Sequence, residues 1–127
     1  MDRQSSIDLI LDHYENPRHK GVIENPTLDA ERINPGCGDV VRITAKLDNQ
    51  GHIASIAFDG HGCTISQAAA SIFTELALGK PLSDIRAITS DDLAKLIGEE
   101  LVIQRINCVT LALNALRDAV STHANNP

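Results

Sequence analysis

Between Phe58 and Thr64 the hydrophobic period of this chain changes from two to nearly four, and that switch constrains the fold more than any other feature. Upstream, Val41, Ile43, Ala45 and Leu47 alternate with Arg42, Thr44, Lys46 and Asp48, the pattern of a half-buried strand. Asp48-Asn49-Gln50-Gly51 is turn chemistry, and Ile53 to Phe58 supplies the return strand of a hairpin. Downstream, Ile65, Ala69, Ile72, Phe73 and Leu76 share one helical face, and Gly79 ends that helix before Pro81. Shorter helices are expected near Leu82 to Arg86 and Ser90 to Gly98. Ile106, Val109, Leu113, Leu116 and Val120 then predict one long C-terminal helix. A first helix is expected over Ile7 to Tyr14, with Ser5 or Ser6 as N-cap and Ile7, Ile10, Leu11 and Tyr14 on one face. Residues 15–36 carry Pro17, Gly21, Pro26, Pro35 and Gly36 and read as a long loop with an edge strand near Leu28 to Ile33. Strands early and helices late predict an α+β fold, a small antiparallel sheet of about three strands packed against a layer of helices.

At 127 residues the chain suits a single domain, 1–127, with a polar, frayed tail over 121–127. Tyr14, Phe58 and Phe73 are its only aromatic residues, so base stacking has no platform, and a net charge of −6 repels a phosphate backbone. Nucleic acid is therefore not an expected partner. Nor is a membrane, since no stretch reaches the roughly 18 apolar residues that a spanning helix needs. Met1-Asp2-Arg3-Gln4-Ser5-Ser6 lacks the basic and apolar regions of a secretory signal, which predicts a cytoplasmic protein with reduced thiols. Its three cysteines cannot all pair with one another, leaving a metal site or a reactive thiol as the alternatives.

The chemistry gathers in three short neighbourhoods. In Asn34-Pro35-Gly36-Cys37-Gly38-Asp39, flanking glycines leave the Cys37 sulfur uncrowded, and Asp39 points to the same side if the segment is extended. Gly60-His61-Gly62-Cys63-Thr64 falls at the strand-to-helix turn, and Arg105-Ile106-Asn107-Cys108 opens the last helix. Cys63 and Cys108 thus lie at expected helix starts, where unpaired N–H groups favour a thiolate, and Arg105 adds positive charge near Cys108. Asn107 suits an N-cap. Three thiolates and one carboxylate complete a tetrahedral site suited to zinc or iron–sulfur chemistry.

Free cysteines are often plain core residues, but these three all sit in loops or helix starts, two of them beside glycine. His61, two residues from Cys63, is either a ligand, a proton shuttle or a solvated loop residue. His13, His19, His52 and His123 read as surface, and Asp91, Asp92, Lys95, Glu99 and Glu100 as a solvated helix face. A thiol hydrolase or transferase using Cys63 with His61 as base is a competing reading, though adjacency in sequence is not dyad geometry and no third orienting residue can be named. A closed, inert zinc-stabilised interaction module is another.

Asp12-His13-Tyr14-Glu15-Asn16-Pro17-Arg18, the Cys37-Gly38-Asp39 loop, Gly62-Cys63-Thr64-Ile65-Ser66-Gln67-Ala68 and Cys108, in that order, resemble the U-type iron–sulfur cluster assembly proteins: IscU, SufU and the NifU amino-terminal domain. The resemblance runs from about Ile7 to Val120. It implies a compact α+β fold whose metal site is formed by Cys37, Asp39, Cys63 and Cys108, with Zn2+ at rest and a transient [2Fe-2S] cluster held by Cys37, Cys63 and Cys108. Persulfide sulfur would come from a cysteine desulfurase, with Cys108 as acceptor aided by Arg105, and pass to a downstream iron–sulfur carrier or apo-protein. A scaffold building a cluster and a zinc-dependent sulfurtransferase that only relays persulfide are the two roles implied. Asn34-Pro35, Cys63 to Ala68 and the Arg105–Cys108 arrangement resemble SufU, whereas the short segment between Cys63 and Cys108 is similar to IscU. Asn107 stands where IscU has histidine, and Glu100-Leu101-Val102-Ile103-Gln104 replaces the Leu-Pro-Pro-Val-Lys motif, which argues against the family's heat-shock chaperone as a partner.

Overall fold

The structure, a computed structural model, describes residues 2–36 and 38–125, the last two of these without their side chains. It opens with α1 (Arg3–Glu15) and continues through β1 (Leu28–Asn34), β2 (Asp39–Leu47) and β3 (Ile53–His61). Six helical segments follow: α2 (Thr64–Ala77), α3 (Leu82–Ala87), α4 (Ser90–Ile97), α5 (Glu99–Gln104), α6 (Ile106–Val109) and α7 (Leu111–Asn125). The strands form one antiparallel sheet in the order β1-β2-β3, with Ile43 paired to Ala30 on one side and Phe58 on the other. This is the α+β architecture that the period switch implies.

One face of the sheet carries the core. Val41, Ile43 and Ala45 alternate inward from β2, and α2 and α7 lie over them. Alanines at 68, 69 and 70, all buried, let α2 approach closely, while Phe58, Phe73, Leu113 and Leu116 fill the remaining space. Because the side-chain period is two, Asp39 emerges on the same inward face as Val41, and its carboxyl is only 1% exposed. The bidentate Arg42–Asp29 pair, at 2.9 and 2.8 Å, spans β2 and β1, and Arg32–Asp118 joins β1 to α7. Among the described residues no helix is long and apolar enough to cross a membrane.

Helix α1 corrects three expectations. Its N-cap is Asp2, whose carboxylate accepts the Ser5 N–H at 2.7 Å, so neither Ser5 nor Ser6 caps it. The face turned to α2 holds Ser6, Ile10 and His13, leaving Ile7, Leu11 and Tyr14 at 40%, 45% and 47% exposure. His13 is therefore not a surface residue. Ser71 Oγ accepts the Arg18 N–H and turns its own proton to His13 Nδ1 at 2.8 Å, which leaves Nε2 to face Glu75 Oε1 at 3.4 Å. Elsewhere, Asp92 closes a capping box with Thr89 instead of merely lining a solvated face. The final helix is also broken. Two segments, α6 and α7, replace the single one expected, α5 precedes them where no helix was expected, and α7 continues through Asn125 where a frayed tail was expected; residues 126–127 lie outside the described residues.

Desolvation in this contact, with Arg18 nearby, holds the His13 pKa below its usual value. The folded state thus resists protonation more than the unfolded chain does, so stability should be full above about pH 6.5 and fall as pH drops toward the depressed folded value. Denaturation of zinc-free protein at pH 7.5, 6.5 and 5.5 is expected to show that decline. In His13→Asn the slope over this window should flatten; an unchanged slope would assign the pH dependence to other groups.

Candidate metal centre

Three elements converge at one corner of the sheet. Asn34 and Asp39 face each other in the β1–β2 register, so the connection at 35–38 is a tight turn in which Gly38 N–H donates to Asn34 O at 2.8 Å. Cys37, between Gly36 and Gly38 in the sequence, lies outside the described residues. At the end of β3, Gly60 and Gly62 hold φ of +148° and +146°, a region open to glycine and closed to ordinary side chains. A Cβ on Gly62 would overlap Asp39 Oδ1, so this turn can press against the Asp39 carboxyl only without a side chain there. Cys63 then caps α2, its Sγ accepting the Ser66 N–H at 3.3 Å.

The Asp39 carboxylate ties these parts together. Its Oδ1 accepts the Cys63 N–H at 2.8 Å, while Oδ2 receives the thiols of Cys63 at 3.6 Å and Cys108 at 3.5 Å. The ligand atoms of Asp39, Cys63 and Cys108 all lie within 4.8 Å of one another. Asn34 Nδ2 approaches Cys108 Sγ from the other side at 3.8 Å. No cationic side chain pairs with Asp39 among the described residues, so a buried carboxylate faces two thiols and no positive charge. That arrangement suits a cation. Two Zn–S bonds of ~2.3 Å at a tetrahedral angle would set the sulfurs ~3.8 Å apart, within the span already present.

Cys108 departs from its expected setting. It lies in the one-turn α6, with Arg105 as a cap that makes no side-chain bond and Asn107 inside the helix, so neither a long helix dipole nor an asparagine cap serves it. The side chain is buried. Burial first, then the Cys63 thiol and the Asp39 carboxylate, push its pKa up to about 12. Arg105 is exposed, and its contribution is a backbone one: its carbonyl accepts the Cys108 N–H at 3.0 Å. Cys63 is exposed, and Asp39 and Ser66 are its partners; His61 is exposed too and makes no bond to it among the described residues. Asn34, Ser66 and Gln67 complete the surroundings. All three stand inside the motifs that the sequence offered, Asn34 before the Cys37 loop and Ser66 and Gln67 after Cys63, without a role assigned to any of them.

A carboxylate with two thiols, held at the corner of an α+β fold by a strand, a helix cap and a single turn of helix, could hold a soft metal ion. The chain belongs to the NifU-like N terminal domain family, which matches residues 6–127. It is 35% identical over 135 residues to the iron–sulfur cluster assembly scaffold protein IscU of Streptococcus pyogenes serotype M1, covering 92% of this chain and 83% of that protein. To the zinc-dependent sulfurtransferase SufU of Bacillus subtilis (strain 168) it is 38% identical over 130 residues, covering 89% and 87%. The crystal structure of the N-terminal part of a nitrogen-fixing NifU-like protein from Brucella abortus superposes with a TM-score of 0.80 at 19% identity, covering 96% of this chain and 99% of that one, which speaks for the fold alone.

Proposed function

We propose that this protein takes part in iron–sulfur cluster assembly, accepting persulfide sulfur from a cysteine desulfurase and supporting a transient [2Fe-2S] cluster as cargo for a downstream carrier or apo-protein. The observation that carries this reading is the convergence of Asp39, Cys63 and Cys108, from three separate segments, within 4.8 Å. Cys37 is the fourth ligand in this proposal. At rest the same four residues would hold Zn2+, whose chemistry is to keep the thiols deprotonated and fixed in place. A carboxylate among the ligands leaves a cluster exchangeable, which suits delivery. The relatives' names support both a scaffold and a zinc-dependent relay, and the setting is a reducing cytoplasm where the thiols stay free. The segment 100–104, with Ile103 at 69% exposure, carries no Leu-Pro-Pro-Val-Lys motif for a chaperone to read.

Cys108 with Arg105 is the acceptor that the sequence suggests, but its burial and raised pKa favour the exposed Cys63 as the thiol that first meets a donor. Anaerobic protein incubated with a desulfurase and cysteine should gain persulfide, mapped by mass spectrometry to Cys63 before Cys108, and then acid-labile sulfide once iron is supplied. Absence of both persulfide and sulfide would sink the assembly reading; zinc-bound persulfide without labile sulfide would select the relay. In the same preparation Asp39→Ala is expected to hold a reconstituted cluster severalfold longer in air. An equal or shorter lifetime would count against a delivery role for the carboxylate.

A further inference from the structure

Beside the metal corner, between the end of α1 and the 60–62 turn, lies a cavity of about 220 Å³ that the cluster chemistry does not use. Lys20, His13 and His61 line it and, among the described residues, no carboxylate does, an unusual lining in a chain of net charge −6. Lys20 Nζ rests 5.0 Å from the Phe58 ring centroid and has no acidic partner among the described residues. Gln67, more than nine-tenths buried, also lines the cavity, and its Oε1 has no hydrogen-bond partner. Gln67 Nε2 donates to Ser66 Oγ at 3.2 Å, and that hydroxyl donates to the Cys63 carbonyl at 3.1 Å, leaving Oε1 as the orphan acceptor. An unsatisfied buried acceptor of this kind calls for a donor from outside.

We propose that this cavity is a subsite for a small zwitterionic aminothiol of the cysteine type. Its carboxylate pairs with Lys20, its ammonium donates to Gln67 Oε1, and its sulfur lies toward the turn that carries Cys63. The proposal rests on the assembly reading, because the reaction it serves is sulfur transfer at Cys63. In that step the aminothiolate attacks the outer sulfur of a Cys63 persulfide. A new S–S bond forms on the ligand, the S–S bond to Cys63 breaks, Cys63 leaves as thiolate, and the outer sulfur keeps its proton. No oxidant or reductant is consumed.

Amide NMR titration of the zinc-free protein with L-cysteine tests binding. Saturable shifts are expected at Gly60, His61, Gly62 and the Gln67 side chain, weakened about tenfold in Gln67→Leu and in Lys20→Met. Cysteamine should lose the Lys20 dependence and 3-mercaptopropionate the Gln67 dependence, since each lacks one of the two charged groups. On protein loaded with persulfide from polysulfide, L-cysteine should discharge Cys63 with saturation kinetics, and both variants should raise the half-saturating concentration while leaving the plateau rate near wild type. Linear, unsaturable discharge with no shifts at 60–62 would overturn the subsite while the assembly reading stood. Failure of the wild-type protein to carry persulfide at all would instead strike the assembly reading.

Discussion

Serine in place of Cys63 or Cys108 is expected to weaken zinc binding by well over ~100-fold, beyond the 10–100-fold typical of losing a residue that only orients a ligand. A neutral hydroxyl replaces a soft anionic donor, and the remaining thiol and Asp39 make too small a set to compensate. Competition against a chromophoric chelator measures this directly. The protein lacking all three thiols should hold no stoichiometric zinc; about one zinc per chain in that variant would place the site elsewhere. The raised pKa of Cys108 adds a signature. Zinc must displace a thiol proton at neutral pH, so apparent affinity should rise about tenfold per pH unit for each proton released. In Cys108→Ser that pH dependence should lose one proton's worth of slope.

Gly60→Ala should destabilise the fold by roughly 3–5 kcal/mol, the sum of backbone strain and overpacking at a site that cannot yield. Its φ of +148° is closed to alanine, and a Cβ there would overlap the Val40 carbonyl oxygen and sit 2.9 Å from its carbon. Both obstacles are backbone atoms of the β2–β3 ladder, near its end, where Gly60 pairs with Val41. Gly36→Ala is the matched control, since its Cβ would meet only the Asn34 side chain at an ordinary 3.8 Å. Chemical denaturation should separate the two by several kcal/mol. A difference under ~1 kcal/mol would show that β2 and β3 relax apart more readily than their pairing implies. Gly62→Ala, by contrast, should act on the site, because its Cβ would displace the Asp39 carboxyl that accepts the Cys63 N–H.

The sheet and α2 were legible because their apolar residues keep one period each: Val41, Ile43, Ala45 and Leu47 fall at every second position, and Ile65, Ala69, Ile72, Phe73 and Leu76 at helical steps. Helix α1 misled because its apolar stripe and its buried stripe are different faces. Hydrophobicity reports which side should be buried, and packing against α2 selected Ser6, Ile10 and His13 instead. The C-terminal periodicity from Ile106 to Val120 passes unbroken through Thr110, where α6 ends, since period alone does not register a cap whose φ and ψ are −91° and 1°. Asp39, Cys63 and Cys108 were legible as residue types in suggestive loops. Their meeting was legible only through the family resemblance, because it depends on contacts across 24 and 69 residues of chain that no local pattern encodes. The burial of Cys108, which reverses its expected acidity, is likewise a property of the assembled corner and of no local segment.

The misaligned stripe on α1 also divides the molecule energetically. The helix is anchored by Ile10, the partly buried Leu9, one serine and a buried imidazole, so modest apolar area holds it down, whereas none of the three converging ligands belongs to it. Its detachment would expose Ser71 and leave the sheet, α2 and α6 in place. Amide protons in α1 should consequently exchange through a low-energy opening of their own, separate from the global unfolding that the centre of the sheet requires. Because His13 and Tyr14 form one wall of the cavity beside Cys63, that opening would unroof the cavity and leave the thiol–carboxylate corner assembled.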